Sequence, residues 1–241
     1  MIFKQFAEDI DAFLARDPAA RSRIEVVLCY PGFHAVVFHR IANAAWRNDW
    51  KLAGRFVSHV SRWLTGIEIH PAAQIGRRLF IDHGMAVVIG ETSEIGDDVT
   101  IYQGTVLGGV SLEQRKRHPT LGHGVIVGAG AKILGPVTIG DGARIGSNAV
   151  VLKDVAAGAT MVGVPARPVV RTPAKKDRAD FCAYGQDPDL PDPVARALDG
   201  LCGDLAALRA RVAELEAQLA NHQVPLDGTA KIEIEPTQYA R

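Results

Sequence analysis

From residue 121 to 151 the chain reads Leu121-Gly122-His123-Gly124-Val125-Ile126-Val127-Gly128-Ala129-Gly130-Ala131-Lys132-Ile133-Leu134-Gly135-Pro136-Val137-Thr138-Ile139-Gly140-Asp141-Gly142-Ala143-Arg144-Ile145-Gly146-Ser147-Asn148-Ala149-Val150-Val151. An aliphatic residue opens every sixth position: Leu121, Val127, Ile133, Ile139, Ile145, Val151. Toward the N-terminus, across a fourteen-residue gap (two beats plus two), the beat returns at Leu107, Ile101, Ile95 and Ile89 and, after a two-residue slip, at Ile81, Ile75 and Ile69. Of these thirteen starts, eight are followed directly by glycine, and eleven carry Ser, Thr, Ala or Val four positions later. A helix needs apolar returns near 3.6 and a half-buried strand near 2. Six fits neither. It fits a short strand that turns one aliphatic residue inward and then a corner where glycine tolerates the backbone angles. Three such edges close one coil of a triangular prism, and coils stack at about 4.8 Å like strands of a parallel sheet. A glycine-rich β-sandwich would have to reach thirteen starts in phase by accident.

The composition agrees. Glycine makes up 24 of 241 residues, about 10%, against a usual ~7%, and nearly all the excess lies in this stretch. With 27 Lys+Arg against 27 Asp+Glu, no field of one sign recommends nucleic acid or an anionic membrane as partner. The apolar runs fall far short of the ~20 residues that span a bilayer, and Glu8 and Asp9 stand where a signal peptide would be apolar. Cys29, Cys182 and Cys202 show neither CxxC spacing nor a disulfide framework. A cytoplasmic protein is expected.

On either side of the prism the periodicity changes. In residues 1–66, Phe3, Phe6, Ile10, Phe13 and Leu14 return at helical steps, as do Ile24, Val27 and Leu28, then Val36, Val37, Ile41, Ala44 and Ala45. Pro18 and Pro31-Gly32 punctuate them. The spacing predicts a helical cap that covers the open end of the prism, otherwise an exposed sheet edge. The prism itself is expected over 67–171, and a proline-rich connector over 172–193. Next comes a helix over 194–221 with Val194, Leu198, Leu201, Leu205, Leu208, Val212, Leu215 and Leu219 in coiled-coil steps of four and three; the alternative is a helix folded back on its own chain. Residues 222–241 read as a polar, loosely ordered tail. The fold class is α+β: a helical cap on a parallel β-helix, with a C-terminal helix in heptad register.

Function must come from what breaks the repeat. Two interruptions stand out: Ile81-Asp82-His83-Gly84-Met85 and the charged insertion 110–120, with Arg115, Lys116, Arg117 and His118 together. Such a loop offers donors to a carboxylate or phosphate; in isolation it also reads as a solvated face, and His83 as a structural histidine.

Around these residues the sequence closely resembles the serine O-acetyltransferases, hexapeptide-repeat enzymes that open cysteine biosynthesis. The resemblance rests on Gly66-Ile67-Glu68-Ile69-His70-Pro71, Phe80-Ile81-Asp82-His83-Gly84, Val88-Ile89-Gly90-Glu91-Thr92, Leu107-Gly108-Gly109, Arg117-His118-Pro119 and Gly128-Ala129-Gly130-Ala131-Lys132. It extends to Gly163-Val164-Pro165-Ala166-Arg167, Arg16-Asp17-Pro18-Ala19 and Gly32-Phe33-His34-Ala35, covering roughly residues 10–170. It implies a left-handed coil, a homotrimer or a dimer of trimers, and acetyl transfer from acetyl-CoA to L-serine without a metal. Carried over position by position, it makes His83 the general base and Glu68, where many members have Asp, its orienting carboxylate. Asp17 and Asp82 would take the substrate's amino group. Arg117 and His118 would hold substrate in a site shared with the neighbouring subunit, and Gly109, Ala129 and Arg167 would line the coenzyme A groove. L-Cysteine is implied as a feedback inhibitor.

The residue types agree with that chemistry. A serine hydroxyl is a weak nucleophile, and a neutral imidazole is a suitable base near pH 7. A zwitterion asks for acids at one end and Arg or His at the other. Three other readings compete. His118 and His123, five apart, with His83 as a third ligand would suit a zinc hydratase like the γ-class carbonic anhydrases. The acceptor could instead be a sugar or another amino acid, or the fold a scaffold without activity. Longer members of the family have a further N-terminal helical region through which trimers pair; no counterpart is expected here, so hexamers formed by that route are not expected. Members that bind O-acetylserine sulfhydrylase do so through a terminal isoleucine. Here the end is Gln238-Tyr239-Ala240-Arg241, and no tight complex of that kind is expected.

Overall fold

The computed structural model describes residues 2–169 and 193–221. Four helices come first: α1 (Ile2–Arg16), α2 (Arg23–Cys29), α3 (Pro31–Arg47) and α4 (Lys51–Thr65). Their ends follow local chemistry. Ser22 caps α2 by accepting from the Glu25 amide, Pro31 opens α3, and Gly66 closes α4 with φ +71°.

The prism follows as short strands: β1 (Glu68–Ile69), β2 (Gln74–Ile75), β3 (Phe80–Asp82), β4 (Val88–Ile89), β5 (Glu94–Ile95), β6 (Thr100–Tyr102), β7 (Val106–Gly108), β8 (Thr120–Leu121), β9 (Ile126–Val127), β10 (Lys132–Leu134), β11 (Thr138–Ile139), β12 (Arg144–Ile145) and β13 (Val150–Val151). Each of the thirteen starts lies on one of these thirteen strands, and all but the partly buried Ile75 are buried in one core. The chain visits three parallel faces in turn. The first is β1-β4-β7-β10-β13 and the second β2-β5-β8-β11. The third runs β3-β6-β9-β12 and is extended by β14 (Thr160–Val162) and the antiparallel β15 (Arg167–Pro168).

Register shows where the metre is interrupted. Regular partners are eighteen residues apart, as in Ile89 with Leu107. In the first coil Ile81 pairs with Ile101, so the two-residue slip falls in the corner after β3, at His83. Ile95 pairs with Leu121, which makes β7 and β8 successive edges with eight extra residues extruded between them.

The cap is fastened to the third face. Phe13 stacks edge-on against Phe80 of β3, with ring centroids 4.8 Å apart, and joins a cluster with Val26 and Phe33. Arg16 donates to the Arg78 carbonyl at 3.1 Å and to Asp98 at 2.8 Å. Buried Asp9 takes Arg40 at 2.6 Å and the Arg78 amide at 3.2 Å. Gly32 of α3 lies so close to β3 that a Cβ there would be 2.0 Å from the Ile81 carbonyl oxygen.

The last helix, α5 (Pro193–Asn221), spans the predicted heptad. Cap and prism fall in one compact unit, Met1–Pro193, and Val194–Arg241 forms another. The connector expected over 172–193 and the tail over 222–241 lie outside the described residues, apart from Pro193. Among the described residues, no single helix is long and apolar enough to cross a membrane.

Candidate active site

Two clusters form on different edges of the prism. The first occupies the corner between the third and first faces, where β3 gives way to β4. His83 begins that corner in a left-handed conformation, φ +58°, which is rare for a residue with a side chain. Its amide donates to the Asp82 carboxylate at 2.9 Å, and its ring Nε2 lies 3.9 Å from the other Asp82 oxygen. The ring is 57% exposed and the Asp82 side chain 22%.

Because Gly32 and Phe13 seat the cap on β3, the end of α1 comes down beside this corner. Asp17 follows α1 directly. One of its oxygens accepts from the Ala19 amide at 2.8 Å and the other from the Tyr30 hydroxyl at 2.6 Å. Burial raises the Asp82 carboxyl above its ordinary range and the Asp17 charge adds to the rise, while His83 opposes it. Two carboxylates that repel each other next to a half-exposed imidazole make a receptor for an ammonium group with a base at its rim. Tyr30 was not apparent from the repeat, which it lies outside; only the docking of the cap brings it here.

Glu68 opens β1 on the first face, close to the same corner, where the Ala86 amide donates to the Gly66 carbonyl. Its Oε2 is 3.3 Å from Arg62 of α4. Ala129 sits on the same edge as His83 two coils further along, about 10 Å at one coil spacing per step.

The second cluster lies between the first and second faces, where the extruded loop leaves β7 and returns to β8. Arg117 pairs with Glu91 at 2.6 Å, and Lys116 reaches Glu94 at 3.0 Å. Thr92 organises the returning strand. Its hydroxyl accepts from the amides of Arg117 (3.0 Å) and His118 (3.1 Å), and its own amide donates to His118 Nδ1 at 3.2 Å. A ring nitrogen that accepts from an amide carries no proton, so the Nε2 of neutral His118 is the protonated one. Burial, reinforced by the Arg117 charge, lowers the His118 pKa and favours that neutral form. The ring lies against Gly90 and Gly109: a Cβ on Gly90 would be 1.9 Å from His118 Cδ2, and one on Gly109 3.3 Å from Nε2. One coil earlier on this edge is His70, which burial, with the Arg55 charge, lowers to about 4.

Of the predicted residues, Asp17, Asp82 and His83 are thus brought together, with Glu68 and Ala129 along the same edge. Arg117, His118 and Gly109 assemble on a second edge. Arg167 is exposed on β15, on the third face. Tyr30, Glu91 and Thr92, which hold the predicted side chains in place, were missed as site residues. His123 lies at a third corner, where its Nδ1 accepts from the Asp97 amide at 3.0 Å. Among the described residues, no three His, Cys, Asp or Glu side chains converge as metal ligands.

Comparison with known proteins places the chain by family and fold. A family described as "Serine acetyltransferase, N-terminal" matches residues 1–37, and one described as "Bacterial transferase hexapeptide (six repeats)" matches residues 118–153. A serine acetyltransferase of Bacillus pumilus (strain SAFR-032) is 52% identical over 215 residues, covering 86% of this chain and 97% of the relative. The crystal structure of the Neisseria gonorrhoeae serine acetyltransferase in complex with serine matches with a TM-score of 0.68 and 40% identity, over 70% of this chain and 69% of that one. A serine acetyltransferase solved in complex with cysteine matches with a TM-score of 0.69 and 42% identity, over 73% and 68%.

Proposed function

The chain belongs to the serine acetyltransferase family, and from that premise we propose that it transfers the acetyl group of acetyl-CoA to the hydroxyl of L-serine, giving O-acetyl-L-serine and coenzyme A. The observation that carries the reading at the level of residues is Asp82 beside His83 at one corner, with Asp17 held nearby by Tyr30.

In this reading the ammonium of serine lies between Asp17 and Asp82, relieving their mutual repulsion. His83 then faces the substrate hydroxyl and takes its proton as the oxygen attacks the thioester carbonyl carbon. The C–S bond breaks, and the imidazolium returns the proton to the departing thiolate, so the base is regenerated each cycle. Glu68 steadies the imidazolium, as the acid of a triad does, but no protein nucleophile is involved. Arg117 and His118 take the serine carboxylate, Arg117 as a charge and His118 through its Nε2–H. Gly109 and Ala129 leave room for the pantetheine arm because neither has a side chain beyond Cβ, and Arg167 offers a cation to the phosphates.

The two clusters stand on different edges of one prism, with the whole first face between them. A zwitterion of serine's size cannot bridge that face. The complete site therefore needs the acidic edge of one chain against the basic edge of another, in a ring of three closed by a heterologous interface. The coenzyme groove divides in the same way, with Ala129 on the edge of one cluster and Gly109 on the edge of the other.

L-Cysteine differs from serine by one atom at the reacting position, so the same acids and Arg117/His118 pair would hold it. Competition with serine is the expected inhibition pattern; noncompetitive inhibition would place cysteine elsewhere.

Thiol release from acetyl-CoA, followed with L-serine, homoserine and several sugars as acceptors, tests the activity. Serine should exceed the others by orders of magnitude. A sugar or homoserine as the better acceptor would replace this reading with a relative of different specificity.

A further inference from the structure

The apolar stripe of α5 has a property that the acetyl-transfer reading does not use. Its described members, Leu198, Leu201, Leu205, Leu208, Val212 and Leu215, are between 43% and 64% exposed. Their steps alternate three and four, the spacing by which side chains of one helix enter the gaps of another with the same spacing. Leu198, Leu205 and Val212 occupy the a positions of the heptad, and Leu201, Leu208 and Leu215 the d positions. Gly200 and Gly203 then fall at c and f, off the stripe, with open space where a Cβ would stand. They do not notch the seam, but they weaken a helix standing alone.

Charge selects the occupant and its direction. When two copies of a heptad helix lie parallel and in register, each g residue meets the e residue five positions on in its neighbour. Here g carries Asp204 and Arg211, and e carries Arg209 and Glu216. The resulting pairs, Asp204 with Arg209 and Arg211 with Glu216, are both of opposite sign. In an antiparallel pair g meets g and e meets e. The same overlap would then match Asp204 with Arg211 but leave Arg209 facing Cys202 and Glu216 facing Ala195, with no opposite charge for either. Within α5, Arg211 bonds Glu214 at 2.6 Å, and among the described residues no ion pair occupies Asp204, Arg209 or Glu216.

We infer that α5 docks, parallel and in register, on α5 of other copies of this chain. Leucine dominates both a and d and does not select two strands or three, so the number of strands follows the number of chains the protein assembles. The inference stands independently of the acetyl-transfer site.

The test uses the full chain with Cys29, Cys182 and Cys202 changed to serine. Leu198→Cys, near one end of the seam, should form a disulfide with its own copy under mild oxidation, giving a covalent dimer on a non-reducing gel. Ala210→Cys, at an f position on the side of the helix opposite the seam, should not. Asp204→Arg should lower the Leu198→Cys yield, and adding Arg209→Asp should restore it. Crosslinking of Leu208→Cys, at the seam centre, without Leu198→Cys would show antiparallel helices and overturn the inference. Absence of both, in protein that light scattering finds multimeric, would also overturn it while leaving a shared active site untouched. A double charge variant that fails to regain the yield would refute the proposed pairing register.

Discussion

The Tyr30 hydroxyl donates to Asp17 Oδ2 at 2.6 Å, and this bond ties the end of α1 to the start of α3 immediately beside β3. Asp17 has no regular secondary structure to hold it; its direction comes from Tyr30 and the Ala19 amide. Tyr30→Phe keeps the ring that packs edge-on against Phe13 and removes only the donor. A hydrogen bond to a charged group contributes about 1.5–3 kcal/mol, so KM for serine should rise roughly ten- to a hundredfold, with kcat less affected. Steady-state kinetics, with a melting curve to confirm an intact fold, checks this; unchanged KM would mean Asp17 does not bind substrate.

His83→Ala should reduce turnover by about 10² to 10⁴, the usual contribution of a positioned general base. Glu68→Gln should lose less, because it removes charge stabilisation while leaving the proton acceptor. Both variants should keep the oligomeric mass of the parent. Near-normal turnover of His83→Ala at saturating serine would rule it out as the base.

A Cβ on Gly90 would sit 2.1 Å from His118 Nε2. Gly90→Ala should therefore push the imidazole off its seat and break the bond between Thr92 and Nδ1, while the β4 backbone accepts alanine. The expected result is at least a tenfold loss in kcat/KM for serine, of the size of one lost charge-assisted bond, and a smaller change in melting temperature. Unaltered kinetics would remove His118 from the substrate site.

Stability should fall on the acid side because of buried histidines. Burial, with Arg40 nearby, lowers His39 to about 4 against an unfolded value of 6.5, and burial likewise lowers His70 to about 4. Below pH 6.5 the unfolded chain takes up protons that the folded chain refuses, so stability is complete above that value and declines as the pH drops toward 4. For His39 the full loss is on the order of 3 kcal/mol. Denaturant unfolding at several pH values measures the slope, and His39→Gln should flatten it; an unchanged slope would assign the acid sensitivity to other groups.

The prism was legible in the sequence because each start must point inward, and a missed beat would expose an aliphatic side chain. Ile69 to Val151 could therefore be assigned to strands one by one. The interruptions at His83 and at residues 110–120 were legible as departures from the metre. Which edge each occupies was not, because that depends on how many residues a corner absorbs: two at His83, eight at the loop. Tyr30, Glu91 and Thr92 were missed for a related reason. Each acts through a contact thirteen or more residues away in sequence, and nothing local distinguishes a tyrosine that orients an aspartate from one that fills a cap.

The separation of His83 and Arg117 onto different edges has a genetic consequence. If each site draws its two edges from two chains, a subunit damaged at one edge still offers an intact other edge. His83→Ala and Arg117→Ala chains, each inactive alone, should complement when co-expressed. In randomly mixed rings of three, about a quarter of the sites would combine two undamaged edges. Mutations confined to one edge should fail to rescue one another, so a matrix of pairwise co-expressions would sort the site's residues by edge without any structure.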